Sequence, residues 1–513
     1  MARRLHGDPI ENAGGERRIY DVVVVGAGPG GSSAAAFLAG RGISTLLLDR
    51  SAFPREKVCG DGLTPQAVYW LDRLGCVEDV LAQTDACYKL CDLYLNGKHL
   101  LTGGFPDDTE YPNFATLLDR RRFDHILLKN AVAKGARFEP ERMVRGIEVD
   151  RDCVRVLAEV HGAPVQYRGR IVIGADGMAS AVSRAIGNTL KDGATAVSFR
   201  TYYRDVACEG AQIKVYFDRE FFPGYGWVFV DDHGFANVGL GYAFDKNFPL
   251  LPRLRDVFQR FLDTQLKDML ANAVPCGSVS GGAASFYRPK SIVADRVMLV
   301  GDAANQADPL NGGGIHKAME SAFFASEAAA HALSVGDFSR ETLALYEKLW
   351  SEQFEVDWRT AELFLSIAKN PNLRDFCLFL LTQIGRLTAK DPQFRDFCSG
   401  VFSGVISRSV CLSPRALYDA FPREPRAWLS LIEGPYGLAL GSARLGLEAV
   451  GSLVGTGGRM AMSPVRNLGW GMEVATKAVQ LAQQKVSTVP GAVSPWVHFG
   501  SEAGSKSLGY AEG

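Results

Sequence analysis

Tyr20-Asp21-Val22-Val23-Val24-Val25-Gly26-Ala27-Gly28-Pro29-Gly30-Gly31 sets the architecture of this chain. Tyr20 to Val25 is a β-branched run that stops at a glycine, the signature of a buried strand. The alanine-rich stretch from Ser32 to Gly40 reads as a helix, and Ile43 to Leu48 as a second apolar strand ending at Asp49. Strand, turn, helix, strand is one βαβ unit of a parallel sheet. Each glycine of the GxGxxG turn has a separate task. Gly26 permits the tight turn, Gly28 leaves room for a pyrophosphate, and Gly31 lets the helix pack close to the strand. The helix start then presents free N–H groups and the positive end of its dipole to phosphate. Asp49 stands where a carboxylate can accept both ribose hydroxyls, and Asp49 with Arg50 is assigned to the cofactor. The reading at this level is dinucleotide binding on an α/β fold.

Two later segments decide which dinucleotide. Ile171-Val172-Ile173-Gly174-Ala175-Asp176-Gly177, followed by Ser180, Val182 and Arg184, resembles the Asp-Gly motif of flavin monooxygenases and their relatives. Val300-Gly301-Asp302-Ala303-Ala304 resembles their second FAD motif. The resemblance implies FAD, with Asp302 on the ribityl chain and Asp176 in the site. Asp308-Pro309-Leu310-Asn311-Gly312-Gly313-Gly314-Ile315 is a proline turn, then glycines, then a helix start running from Ile315 to about Ala332. Gly312, Gly313, Gly314 and Ile315 can aim backbone N–H groups at the flavin edge that is negative when reduced. Arg120, in an RxxFD pattern with Phe123, resembles the arginine that steadies the cofactor in those relatives. The implied fold is an FAD-binding Rossmann-type domain of the p-hydroxybenzoate hydroxylase type, with an interleaved β-rich substrate domain and a C-terminal helical region.

Lys57-Val58-Cys59-Gly60-Asp61-Gly62-Leu63-Thr64-Pro65 is similar to the Cys-Gly segment of the geranylgeranyl reductase family, especially its menaquinone-reductase members. Pro223-Gly224-Tyr225-Gly226-Trp227-Val228-Phe229 resembles that family's PxxYxWxF motif, with a shorter Pro-to-Tyr spacing and Val230 where a proline often follows. The resemblance covers roughly residues 20–350. It implies saturation of carbon–carbon double bonds in isoprenoid chains by reduced FAD, with Gly60 at the cofactor and Cys59, Tyr225 and Trp227 at the reacting centre. Tyr225 and Trp227, two apart on a strand, share one face. Their aromatic faces suit an alkene that gains cationic character as it is protonated. For each of the three the alternative is plain packing: a small buried thiol in a turn, and two aromatics of a sheet core. Two other activities share the FAD motifs. One is a flavin-dependent hydroxylase or epoxidase. The other is a halogenase, whose WxWxIP and Gly-Glu-Ser signatures are missing here. A flavoprotein scaffold that binds a partner through its C-terminal helices is a further alternative.

The rest of the chain sets bounds. With 47% apolar and 22% charged residues and a net charge of -1, it is an ordinary globular protein with nothing to suggest nucleic acid as a partner. Ten cysteines without CxxC or metal spacing read as reduced thiols, with no metal site. Residues 1–19 are read as a disordered tail, 20–335 as the FAD domain with a substrate sheet interleaved at about 65–118 and 190–290, 340–485 as a helical region and 486–513 as a flexible tail. Helical patterns span Leu118 to Lys134, Arg253 to Leu270, 340–369, 372–388 and 393–411. No stretch reaches the roughly 18 apolar residues of a membrane span. Residues 434–462 come closest, broken by Arg444, Glu448 and Arg459. The chain is therefore read as cytoplasmic; its apolar C-terminal helices read as a buried core over the substrate site or, alternatively, as a surface for peripheral membrane contact. Expected partners are an apolar or lipid substrate and, as reductant, NADPH or another donor such as an electron-donor protein. No second GxGxxG marks a nicotinamide site.

Overall fold

The computed structural model describes residues 18–84, 86–188, 195–244, 253–287, 289–412, 460 and 464–487. Of the expected tails, residues 1–17 and 488–513 lie outside the described residues, as does the apolar segment 434–462 apart from Met460, while Ile19 already opens the first strand and the last helix runs on to Ser487.

The first sheet is built from strands Val297–Leu299, Ala163–Gly174, Ile19–Val25, Thr45–Leu48 and Arg137–Glu139, in that spatial order and all parallel. The ends of its central strands, Val22–Val25, Leu46–Leu48 and Ile171–Ile173, are apolar at every position because both faces are covered. Val22, Val24, Ile171, Ile173 and Leu47 enter one core, while Val23, Val25, Val172, Leu46 and Leu48 enter the other. Helices Pro29–Ala39, Arg120–Ala133, Ile315–Val335 and Arg340–Ala368 cover the first face. The second face is closed by an antiparallel layer in which Val154–Val160 pairs with the first half of the long strand Ala163–Gly174 and Met143–Val149 pairs with Val154–Val160. The helix after the glycine turn starts at Pro29, earlier than the alanine run suggests, because proline is well placed in a first helical turn.

The second sheet has the order Val274–Pro275, Ala196–Arg204, Ala236–Ala243, Tyr225–Val230, Gln212–Phe217, Leu90–Leu95, Lys98–Gly104, with Ser280–Ala284 also on Ala196–Arg204. All pairs are antiparallel except Leu90–Leu95 beside Gln212–Phe217. One face, through Val228, Val230, Val238 and Leu240, packs on the amphipathic helix Leu254–Thr264. Tyr225, Trp227 and Phe229 alternate onto the opposite face. Within 65–118, strands of this sheet begin only at Leu90. Helix Pro65–Leu74 instead buries Val68, Trp70, Leu71 and Leu74 in the core of the first sheet.

The C-terminal helices Arg374–Thr388 and Pro392–Ser403 lie against the edge hairpin of the second sheet. Leu378 joins Leu95, Val215 and Phe217, and the backbone of Gly385 lies so close to Leu100 that a Cβ would sit 2.2 Å from its Cδ1. The expected helix 393–411 stops at Ser403, because Gly404 adopts a left-handed φ of 77°, and a short 3-10 turn follows at Arg408–Leu412. Helix Pro464–Ser487 packs on Arg340–Ala368. Among the described residues no helix is long and apolar enough to cross a membrane.

Candidate flavin and substrate site

At the nucleotide end the backbone does most of the positioning. Gly26 has φ 99°, and a Cβ there would lie 2.3 Å from the Ala175 carbonyl oxygen. A Cβ on Gly31 would lie 1.7 Å from the Gly26 oxygen, so helix and turn touch backbone to backbone. Gly28 is different, since a Cβ there meets only Arg55 Nη2 at 3.6 Å. That open side lies at a helix start without a capping side chain, where the N–H groups of Gly30 and Gly31 remain available. The buried Asp49 accepts N–H bonds from Ala27 (2.7 Å) and Ser51 (2.8 Å), which fix its carboxylate beside the turn. Arg50 next to it is exposed. Asp176 is used otherwise: its carboxylate accepts from Ser180 Oγ (2.5 Å) and the Ala181 N–H (2.6 Å), capping the short helix Ala181–Ala185. It shapes the turn at Gly177, where φ is 77°.

Arg120 is buried and grips Asp124 with two bonds, Nε to Oδ1 at 2.7 Å and Nη2 to Oδ2 at 2.8 Å. Burial alone would lower the guanidinium, but Asp124 outweighs it and holds Arg120 firmly charged. Arg55, absent from the sequence reading, reaches the same Asp124 at 3.1 Å. Two cations on one carboxylate leave a net positive charge beside Gly28, which suits a pyrophosphate. The Cys59 thiol is near enough to Arg120 to act on its guanidinium electrostatically, so one arginine joins the phosphate end to the Cys-Gly segment.

Toward the flavin end, Gly301 has φ 60° and opens the 3-10 turn that carries Asp302. The half-exposed Asp302 carboxylate lies 3.7 Å from Lys57 Nζ, and a Cβ on Gly314 would stand 3.7 Å from Asp302 Oδ1. Helix Ile315–Val335 starts at Gly314 without a capping side chain. Gly313 and Gly314 precede it, and Gly312 takes φ 69°, where a Cβ would stand 3.4 Å from Tyr225 Oη. His316, buried at the helix start, is pushed down to about 3 by burial and so is neutral, with Nδ1 3.2 Å from Thr64 Oγ1. Glycine turn, anionic Asp49, the Arg55–Arg120 pair, Asp302 and the second glycine loop together fit FAD. The residues first in contact with each part would be Gly28 and the helix start for pyrophosphate, Asp49 for ribose, Asp302 for the ribityl chain and the Gly312–Gly314 backbone for the ring.

The Cys59 segment lies on the open face of the second sheet. Asn237 Nδ2 donates to the Cys59 carbonyl (3.0 Å) and to Asp61 Oδ2 (2.8 Å), and Asn237 Oδ1 accepts from Trp227 Nε1 (2.9 Å). Trp227 lies flat over Gly239, where a Cβ would come within 2.1 Å of the ring. Tyr225 donates its hydroxyl to the Asn311 carbonyl at 2.6 Å, and burial raises its phenol. Asp61 is 1% exposed, has φ 63° and accepts from Tyr202 Oη at 2.5 Å. Burial raises its carboxyl to about 6, although Tyr202, Asn237 and the nearby Arg200 and Arg120 pull the other way. Neither Asp61 nor Asn237 was singled out in the sequence. Asp61 sits inside the Cys-Gly segment and offered a signal, whereas Asn237 offered none.

A family profile described as an FAD binding domain matches residues 19–237. A digeranylgeranylglycerophospholipid reductase of Methanopyrus kandleri is 34% identical over 353 residues, covering 67% of this chain and 85% of that protein. The corresponding reductase of Methanosarcina acetivorans is 32% identical over 345 residues, covering 65% and 81%. The chain belongs to the geranylgeranyl reductase family of FAD-dependent oxidoreductases. Solved structures agree on the fold. A geranylgeranyl bacteriochlorophyll reductase-like protein of Thermoplasma acidophilum superposes with a TM-score of 0.64 at 23% identity, covering 81% of this chain and 98% of that one. A flavin-dependent brominase gives a TM-score of 0.64 at 20% identity, covering 78% and 98%. The brominase shows that the family's scaffold is shared with halogenases, so the scaffold alone does not choose the reaction.

Proposed function

We propose that this protein reduces carbon–carbon double bonds in the isoprenoid chain of a prenylated lipid or quinone. The observation that carries this reading is a convergence of three segments. Asn237 ties the Cys59 carbonyl to Trp227, and Tyr225 on the same sheet face ties to the glycine loop through Asn311. The candidate reacting residues thus meet the candidate flavin cradle. The two named reductase relatives support the substrate class.

FAD held by Gly28, Asp49, Asp302 and the Gly312–Gly314 backbone would, when reduced, supply hydride to one alkene carbon, and the other carbon would need a proton. Cys59 is proposed to stand at that proton's delivery point. It lies near the buried Arg120, which Asp124 holds charged. Trp227 and Tyr225 are proposed as the aromatic wall that faces the alkene while cationic character develops. The reductant that reloads the flavin is proposed to be NADPH or a protein electron donor. A cytoplasmic protein touching a membrane through its C-terminal helices fits the same reading. Leu468, Met472 and Val479 are exposed on Pro464–Ser487.

The test is anaerobic. The purified protein is reduced, given prenylated lipids and quinones, and the extract is weighed by mass spectrometry. Gain of two hydrogens per double bond without oxygen supports the reading. No anaerobic turnover, with gain of one oxygen atom after air is admitted, moves the protein to the hydroxylases or epoxidases. Turnover unchanged in Cys59→Ala with FAD retained removes Cys59 from the reaction.

A further inference from the structure

The C-terminal helices reach the glycine loop through a chain of buried polar contacts. Arg408 has a side chain that is 0% exposed. Its Nη1 donates to Asp308 Oδ2 at 2.6 Å and to Asp357 Oδ2 at 3.0 Å, and its own backbone N–H donates to Asp357 Oδ1. Asp308 uses its other oxygen to accept the N–H groups of Leu310 (2.8 Å) and Asn311 (3.2 Å). Asn311 then accepts the Gly313 N–H on Oδ1 at 2.8 Å and donates Nδ2 to the carbonyls of Phe402 and Ser403, each at 3.2 Å. The turn that shapes Gly312–Gly314 is therefore held by the end of helix Pro392–Ser403 and by Arg408 just beyond it.

Charge supports the same picture. Burial alone would raise the Asp308 carboxyl, but Arg408, with help from Lys317, outweighs it and holds it below the usual carboxylate range. Both partners stay charged in an apolar setting, where a broken pair is far more costly than a surface one. A pair of this kind fixes geometry. One nitrogen, Nη1, serves both carboxylates, while Nη2 reaches the Phe402 carbonyl at 3.4 Å and so ties the pair to the end of helix Pro392–Ser403.

We propose that Arg408 is a positioning residue for the flavin-facing loop, and that the segment up to Leu412 is a working part of the reaction site. The proposal rests on the FAD-dependent reading above. Arg408 acts through Asp308 and Asn311 on the Gly312–Gly314 backbone. Misplacing that backbone changes how the bound flavin is held without touching the pyrophosphate end.

The experiment compares the full-length wild type with Arg408→Met/Asp308→Asn, which removes the cation and the one of its two carboxylates that holds the loop, and with Asn311→Ala, which leaves the ion pairs intact. Three quantities are read on FAD-loaded protein: the midpoint potential, the apparent Kd for FAD, and kcat and KM for a prenylated quinone. A displacement of the loop by about an ångström is expected to lower kcat by up to ~100-fold. KM and the FAD Kd should move much less, and the midpoint potential should shift in both variants. If either variant is folded and FAD-loaded yet keeps the wild-type potential and kcat, the proposal is overturned. If the double variant does not fold, Asn311→Ala alone decides. Should the wild type reduce no prenyl chain, the proposed function fails, while the midpoint potentials of the variants still decide this inference.

Discussion

The two glycine loops of this protein are held in opposite ways. The turn Gly26–Gly31 is fixed by backbone against backbone: Ala175 oxygen against Gly26, Gly26 oxygen against Gly31, and strand hydrogen bonds on either side. The loop Gly312–Gly314 is fixed by side chains: Asp308 and Asn311 just before it, Tyr225 from the second sheet, and Arg408 from beyond the C-terminal helices. The first arrangement follows from the close-packed βαβ unit and leaves little to adjust. The second depends on residues that can change one at a time, so it is where the scaffold shared with halogenases can be tuned to a particular reaction.

The sharpest break of the comparison is at Gly31. A methyl there would overlap the Gly26 carbonyl, and no flexible side chain can give way. Gly31→Ala is expected to cost more than about 4 kcal/mol, the range reserved for severe core damage, and to yield protein without FAD. Gly28→Ala sets the contrast, since only the Arg55 side chain lies near. Thermal unfolding of the apoprotein should be unchanged while FAD affinity falls at least ~10-fold, an energy of about 1.4 kcal/mol. Equal thermal damage in both variants would show that the turn is not shaped around a ligand.

At the other loop the largest effect is expected from Arg408→Met alone. It strands Asp308 and Asp357 without their cation and should destabilise the fold by about 3–5 kcal/mol, as removing one partner of a buried pair does. Adding Asp308→Asn should recover part of that loss in urea unfolding. No recovery would mean that the guanidinium is needed for packing more than for charge.

Asp61 gives a pH test near the junction of the two sheets. Its carboxyl is raised from 3.8 to about 6 by burial. The folded protein therefore keeps this proton across that window while the unfolded chain has released it. The contribution of Asp61 to stability is greatest below pH 3.8, falls as pH rises through the window and levels off above about 6. The whole interval corresponds to something on the order of 3 kcal/mol. Asp61→Asn should flatten this segment of the stability-versus-pH curve and leave the variant more stable than wild type at pH 8. A slope unchanged by the substitution would assign it to another group.

What the sequence revealed follows the same division. Val22–Val25, the glycine turn and Asp49 could be read directly, because strand alternation and steric need act between neighbours in the chain. Arg120 was readable from its pattern, but its partner Arg55 was not, since nothing local says that both reach Asp124. Helix Pro65–Leu74 was placed with the substrate sheet, although its apolar face fills the first core. The helix over 393–411 was drawn through Gly404, where a left-handed turn ends it. Arg408 gave no signal at all, because its meaning lies in Asp308, 100 residues earlier in the chain.

The smallest expected effect separates the two roles left for Tyr225. Its hydroxyl supports the Asn311 carbonyl at 2.6 Å, and its ring lies 6.1 Å from that of Trp227. Tyr225→Phe removes the hydrogen bond and keeps the ring, so stability should fall by about 1 kcal/mol. If Tyr225 works as a strut for the loop, the flavin midpoint potential should move in the same direction as in Asn311→Ala, with kcat reduced alongside it. If it works as a wall against the alkene, the potential should stay at the wild-type value. The aromatic face survives in phenylalanine, so turnover should then survive as well. A lowered kcat with an unmoved potential would fit neither role and would put the hydroxyl itself in contact with substrate, which would make this second loop a source of chemistry and not only of shape.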